Sequence, residues 1–119
     1  MPREFRFSKT RRLTRPAEFQ RVREEGEVAR GAFLSLGILR EQAGVKMRAG
    51  FVTSRRVGGA VVRNRVRRRL REIVRRHQGE IVERVWMVVI ARPGAARASY
   101  EALEHEWLRL AKRTSILAP

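Results

Sequence analysis

Arg63 to Arg76 reads Arg-Asn-Arg-Val-Arg-Arg-Arg-Leu-Arg-Glu-Ile-Val-Arg-Arg. Eight of these fourteen residues are arginine and only Glu72 is acidic. Apolar residues punctuate the run at helical spacing, so it is not a structureless basic arm. Val62, Val66, Leu70, Ile73, Val74 and His77 fall on one face of an α-helix, filling a stripe roughly 120° wide. Asn64, Arg67, Arg68, Arg71 and Arg75 cluster on the opposite side, and Arg65, Arg69 and Arg76 line one flank. A core must hold the apolar stripe, and the other face then presents a row of guanidinium groups. Their planar forks suit phosphate oxygens.

The bland alternative is a solvated charged face. Such a face mixes signs, whereas here Arg63–Arg67, Arg65–Arg69, Arg67–Arg71 and Arg71–Arg75 are repelling i,i+4 pairs. The whole chain leans the same way. Its 119 residues carry 28 Lys+Arg against 12 Asp+Glu, a formal net charge of +16. That self-repulsion is relieved by a polyanion. Nucleic acid is the first candidate and an anionic membrane the second. A hydrophobic content of 43% fits a folded domain rather than wholesale disorder. Cysteine is absent, which excludes disulfides and thiolate metal sites and fits a reducing cytoplasm. No run approaches the ~20 apolar residues of a membrane span.

The rest of the pattern predicts one α+β domain over residues 13–115, after an irregular basic arm (1–12) and before a short tail (116–119). Thr14 starts a short helix, with Pro16 in its first turn and Gly26 beyond its end. Ala32–Leu39 reads as a strand whose partner is Met47–Thr53, joined through Arg40–Val45. Arg55-Arg56-Val57-Gly58-Gly59 leads into a long helix, Ala60–His77. Val85–Ala91 is unbroken apolar and reads as an internal strand covered on both faces. Ser99 caps a last helix carrying Tyr100, Leu103, Trp107 and Leu110 on one side.

Catalytic constellations are missing. His77 and His105 lie in different predicted helices, with no metal-ligand spacing. Glu101, Glu104 and Glu106 read as a solvated face. Gly58-Gly59 has no Gly-Lys-Ser/Thr after it, which argues against a nucleotide-binding loop. Trp86 and Trp107 read as core. Phe19, in a basic helix with few apolar neighbours, reads as a partly buried aromatic suited to stacking on single-stranded nucleic acid.

Ser54-Arg55-Arg56-Val57-Gly58-Gly59-Ala60-Val61-Val62-Arg63-Asn64-Arg65-Val66-Arg67-Arg68-Arg69-Leu70-Arg71-Glu72 closely resembles the signature of the bacterial ribonuclease P protein subunit. Its centre matches that family's Arg-Asn-Arg motif. Leu13–Gly26 and Val89–Ala95 extend the resemblance, which spans about residues 10–115. It implies a small sandwich with a left-handed β-α-β crossover, a subunit assisting a catalytic RNA. That RNA, with magnesium it mainly holds itself, cleaves precursor tRNA at the mature 5′ end. The protein alone would be inactive, and neither a membrane nor an obligate protein partner is implied. By position, Arg55, Arg56, Arg63, Asn64, Arg65, Arg67, Arg68 and Arg71 would meet the catalytic RNA. Phe19, Val52, Ser54 and Arg92 would line a cleft for the 5′ leader. The chain departs from the family pattern at Arg23, where a second aromatic is common, at Gly59 and at Trp86. A structural RNA binder of ribosomal type is the alternative reading. It has the charge but no reason for the ordered motif or the cleft aromatic.

Overall fold

The structure, a computed structural model, describes residues 12–40 and 47–117. All but Arg12 of the expected N-terminal arm, and most of the Arg40–Val45 connection, lie outside the described residues. Three helices, α1 (Pro16–Glu25), α2 (Ala60–His77) and α3 (Tyr100–Arg113), pack on four strands, β1 (Glu27–Arg30), β2 (Leu34–Leu39), β3 (Arg48–Thr53) and β4 (Trp86–Ala91). The sheet is mixed, ordered β1-β2-β4-β3. β4 runs antiparallel to β2 and parallel to β3, so α2 is the connection that parallel neighbours need.

The expected pairing of β2 with β3 is therefore wrong, because β4 lies between them. β4 is apolar along its whole length, and a strand of that kind is stable where both edges are paired and both faces covered. The short edge strand β1 was not anticipated. It is only four residues long and two of them, Glu27 and Arg30, are charged, so it carries little pattern.

The two sheet faces hold separate cores. Leu34, Leu36, Ile38, Ala49, Met87, Val89 and Ala91 meet Val66, Leu70, Ile73 and Val74 of α2 and Leu103, Trp107 and Leu110 of α3. On the other face, Leu39 and Val88 meet Leu13 and Val22, with Phe19, Val52, Trp86 and Ile90 half-buried around them. Ile116 is fully buried and Leu117 bridges to Ile81. The packed chain thus continues to Leu117, past the expected end at residue 115.

Local chemistry fixes the helix ends. Glu18 Oε1 accepts the backbone N–H of Thr14 and of Arg15, each at 3.1 Å, satisfying donors at the start of α1. Ser99 Oγ accepts Ala102 N–H at 3.1 Å and caps α3. The turn into α2 needs Gly58, whose φ of +154° is strained for other residues. A Cβ there would also stand 2.9 Å from Val62 Cγ1.

Glu106 is not on a solvated face. It is 4% exposed, and its carboxylate accepts the N–H groups of Ala32 (2.9 Å), Phe33 (2.7 Å) and Leu34 (2.7 Å). One buried acid thus fixes the turn into β2 to α3. Glu104 is also engaged, with Oε2 2.9 Å from His77 Nε2. Only Glu101 of the three is exposed. His77 stacks on Trp107 with ring centroids 5.6 Å apart, at the end of the apolar stripe.

Candidate nucleic-acid interface

α2 has the boundaries its periodicity predicts, and its buried residues are Val66, Leu70, Ile73 and Val74. The arginines sort by what they touch. Asn64 and Arg68 are exposed. Arg67 donates from Nη1 to Asn64 Oδ1 (3.1 Å) and from Nη2 to Thr53 Oγ1 (2.6 Å). Arg71 lies over the Phe51 ring, 5.9 Å from its centroid. Burial, and then the charges of Arg12 and Arg67, hold the Arg71 guanidinium below its ordinary pKa. It remains a cation, in a cluster whose repulsion an anion would relieve. Arg63 sits at the margin of the apolar stripe, half-buried, with Nε enclosed and without a hydrogen-bond partner. Arg65 Nη2 donates to Ala96 O at 3.0 Å. Arg55 and Arg56 are exposed in the turn before α2. No side chain caps the first turn of that helix, so its free amides add positive potential there.

On the opposite sheet face, α1 and the strands enclose a cleft of about 110 Å³. Phe19, Val22 and Arg23 form one wall; Val28, Val52 and Ile90 are among the strand residues opposite. α1 comes this close because glycines lie beneath it. A Cβ on Gly50 would meet Phe19 ring carbons at 2.5 Å, and one on Gly37 would meet Val22 Cγ1 at 3.1 Å. Phe19 is half-buried, in keeping with the sequence reading.

Of the four expected cleft residues, Phe19 and Val52 line it, whereas Ser54 and Arg92 do not. The latter two follow Thr53 and Ala91, which are partners in the parallel β3–β4 register. They therefore leave the same end of the sheet, beyond Val52 and Ile90. Arg92 is fixed there: its N–H bonds Phe33 O at 2.8 Å and its Nη1 bonds Gly31 O at 2.7 Å. Consecutive residues join the two surfaces. Val52 faces the cleft, Thr53 receives Arg67 from the arginine helix, and Ser54 begins the basic turn.

Sequence reasoning missed three residues of this face. Trp86 is half-buried on the α1 side rather than in the main core. Arg21 and Arg48 lie over its ring at 5.3 and 5.5 Å from the centroid, contacts worth about 0.5–1 kcal/mol each when exposed. Arg48 also bonds Glu18 Oε2 at 2.6 Å and Arg12 O at 2.8 Å. The available signal was alternation within β4, which puts Trp86 on the same face as Val88 and Ile90. Among the described residues, no group of three or more His, Asp or Glu side chains could hold a metal ion, and no helix is long and apolar enough to cross a membrane.

The sequence model described as Ribonuclease P matches residues 7–115. The ribonuclease P protein component of Syntrophomonas wolfei is 34% identical over 112 residues, 94% of this chain and 93% of that protein. That of Roseiflexus castenholzii is 38% identical over 107 residues, 89% and 87% of the two chains. Among solved structures, the RNase P protein from Thermotoga maritima superposes with a TM-score of 0.77 at 29% identity, covering 86% of this chain and 96% of that one. The Staphylococcus aureus RNase P protein reaches a TM-score of 0.85 over 92% of this chain and 99% of that one, at 24% identity, a likeness of fold. The match runs through α1, the arginine helix and β4 alike, and the chain belongs to the ribonuclease P protein family.

Proposed function

We propose that the protein is the RNA-binding subunit of a ribonuclease P whose chemistry is carried out by its RNA. The arginine row of α2, with Arg55 and Arg56, holds the catalytic RNA, and the cleft under α1 takes the 5′ leader of precursor tRNA. One observation carries this reading. The guanidinium face of α2 and the aromatic-walled cleft lie on opposite sheet faces, yet Val52, Thr53 and Ser54 join them at the end of β3. A protein so built grips one RNA by its phosphates and a single strand by stacking and charge. Phe19 supplies the stacking surface. Arg92 and Ser54, at the mouth of the cleft, supply phosphate contacts to the strand leaving it. Magnesium belongs to the RNA in this scheme, and the site of action is the cytoplasm. No side chain here is assigned a bond-making or proton-transfer role.

Reconstitution tests the proposal. Protein is added to a bacterial ribonuclease P RNA at low magnesium, and 5′ cleavage of precursor tRNA is measured. Cleavage should rise with protein, and protein freed of RNA by nuclease should give none. Cleavage by RNA-free protein, or no stimulation of the RNA, overturns the assignment.

A further inference from the structure

We propose that the groove between α2 and the start of α3 is a second phosphate-binding site, taking the backbone of the catalytic RNA. This rests on the RNA-subunit reading above and extends it to Arg69 and Tyr100. Arg65, Arg68, Arg69, Glu72 and Tyr100 line an open depression of about 450 Å³. The first four fall at i, i+3, i+4 and i+7 on one stripe of α2, so the lining is dictated by helical spacing.

Four of the five side chains are donors suited to an anion, and the fifth, Glu72, is paired on its own helix. Arg65 and Arg69 each donate one N–H to a carbonyl just before α3, to Ala96 O at 3.0 Å and Ala98 O at 3.2 Å. Those bonds hold the two forks across the groove; Arg65 Nε is enclosed, and the remaining Nη donors of both arginines are unspent. Arg68 is exposed and makes no hydrogen bond or ion pair among the described residues. Glu72 is the one acid of the lining, and its charge is offset by Arg75, whose Nε donates to Oε1 at 2.9 Å. Arg75 also holds the Glu72 carboxyl below its ordinary pKa, so it stays an occupied anion. Tyr100 adds a neutral donor. Its oxygen accepts Arg76 Nη1 at 3.3 Å, which leaves its own O–H proton free to point at a ligand. Its ring packs against the core, so the hydroxyl is held rather than swinging.

Three guanidiniums and an oriented phenol match a phosphodiester, whose two free oxygens accept several donors at once. The position selects the RNA. The groove lies on the α2–α3 side of the sheet, away from the leader cleft, and shares Arg68 with the outward arginine row. A backbone crossing that row continues into the groove without leaving α2.

The test uses the full-length protein and a bacterial ribonuclease P RNA. Tyr100→Phe keeps the ring packing and removes only the hydroxyl. It should weaken RNA binding about three- to tenfold with unchanged melting and an unchanged salt slope. Arg69→Ala should weaken binding and flatten the plot of log affinity against log salt by about 0.7–0.9. Phosphate-ethylation interference gives an independent readout. One or two phosphates whose ethylation impairs binding of the parent should cease to matter in both variants. Discrimination between precursor and mature tRNA should stay as in the parent. If Arg55→Ala/Arg56→Ala loses affinity while both groove variants bind like the parent, the groove site is wrong and the RNA-subunit reading stands. The groove site is equally wrong if the variants weaken binding with no change in the interference pattern. If all three proteins bind like the parent, both readings fail.

Discussion

The ring of Phe19 rests on Gly50, so closely that a Cβ there would stand 2.5 Å from two ring carbons. The helix wall of the cleft is therefore set by the absence of a side chain on β3. Gly50→Ala must displace Phe19, shift α1, or both. Overpacking of this kind costs about 1–3 kcal/mol. We expect a lower melting temperature and weaker precursor tRNA binding, with affinity for the catalytic RNA nearly unchanged. Parent-like melting together with parent-like leader binding would show that α1 is not seated on Gly50.

Phe19→Ala separates stacking from packing. Phe19 is half-buried at the cleft wall, so its loss should reduce precursor tRNA affinity by about 1–3 kcal/mol. Mature tRNA, which has no leader, should be nearly indifferent. The salt dependence should hold, since phenylalanine releases no counterions. Equal losses for both tRNAs with a large melting drop would assign Phe19 to the core alone.

Arg68→Ala probes the arginine row without touching the fold. Arg68 is exposed and makes no internal polar contact among the described residues, so melting should move by no more than about 0.5 kcal/mol in equivalent stability. RNA affinity should fall by roughly 1.5–3 kcal/mol per lost charge-assisted contact. Arg67→Ala should cost stability as well, because Arg67 also bonds Thr53. Unchanged affinity on removing Arg68 would reduce that residue to a solubility charge.

Acid should loosen the junction of α1 and β3 through Glu18. Burial raises its carboxyl pKa, but the amides of Arg15 and Thr14 and the guanidinium of Arg48 outweigh burial and leave it below the ordinary glutamate value. A depressed carboxyl contributes stability that is complete above the unfolded value and is lost as pH falls through the folded one. Melting of the parent should therefore drop below the ordinary glutamate range. In Glu18→Gln that part of the drop should be missing, with stability already lower at neutral pH. Parallel melting curves against pH for the two proteins would exclude Glu18 as the titrating group.

Glu106→Ala leaves the amides of Ala32, Phe33 and Leu34, the last of them buried, without their acceptor. A buried donor so orphaned costs about 1–3 kcal/mol, and with two part-buried donors beside it this change should be among the most damaging available outside the apolar core. Denaturant unfolding measures it directly. A loss under about 1 kcal/mol would mean that water replaces the carboxylate easily.

What was legible in the sequence followed from period and length. α2 spans many turns with an unmixed stripe, so its ends at Ala60 and His77 and its inward residues could be read directly. β4 declared itself internal by being apolar on both faces. The neighbour of β2 could not be read, because pairing is decided by where the chain returns after α2, and nothing in residues 34–53 encodes that. Glu106 was misassigned by its charge, although it lies three residues after Leu103 and four before Leu110, on the buried face of α3. Trp86 was read as core without a sheet face, since a large apolar ring fits either, and it packs half-buried on the smaller core under α1. The cleft itself rests on Gly37 and Gly50, where the relevant property is a missing side chain seen only once α1 is docked.

β4 completes the sheet from the inside, and this bears on how the molecule comes into being. Its pairing with β2 and β3 spans long stretches of chain, and such non-local closure is slow compared with forming α2 locally. As the ribosome delivers the chain, α1, β1, β2, β3 and the arginine helix all emerge before residues 86–91 do. Until those six residues insert, the cleft lacks Val88 and Ile90 and α2 lacks the Met87–Val89 surface beneath it. Insertion of β4 therefore advances both faces of the sheet together, completing the α1 side, while the α2 side still waits for Leu103, Trp107 and Leu110 of α3. A nascent chain that stops short of β4 would have neither a closed cleft nor a seated arginine helix.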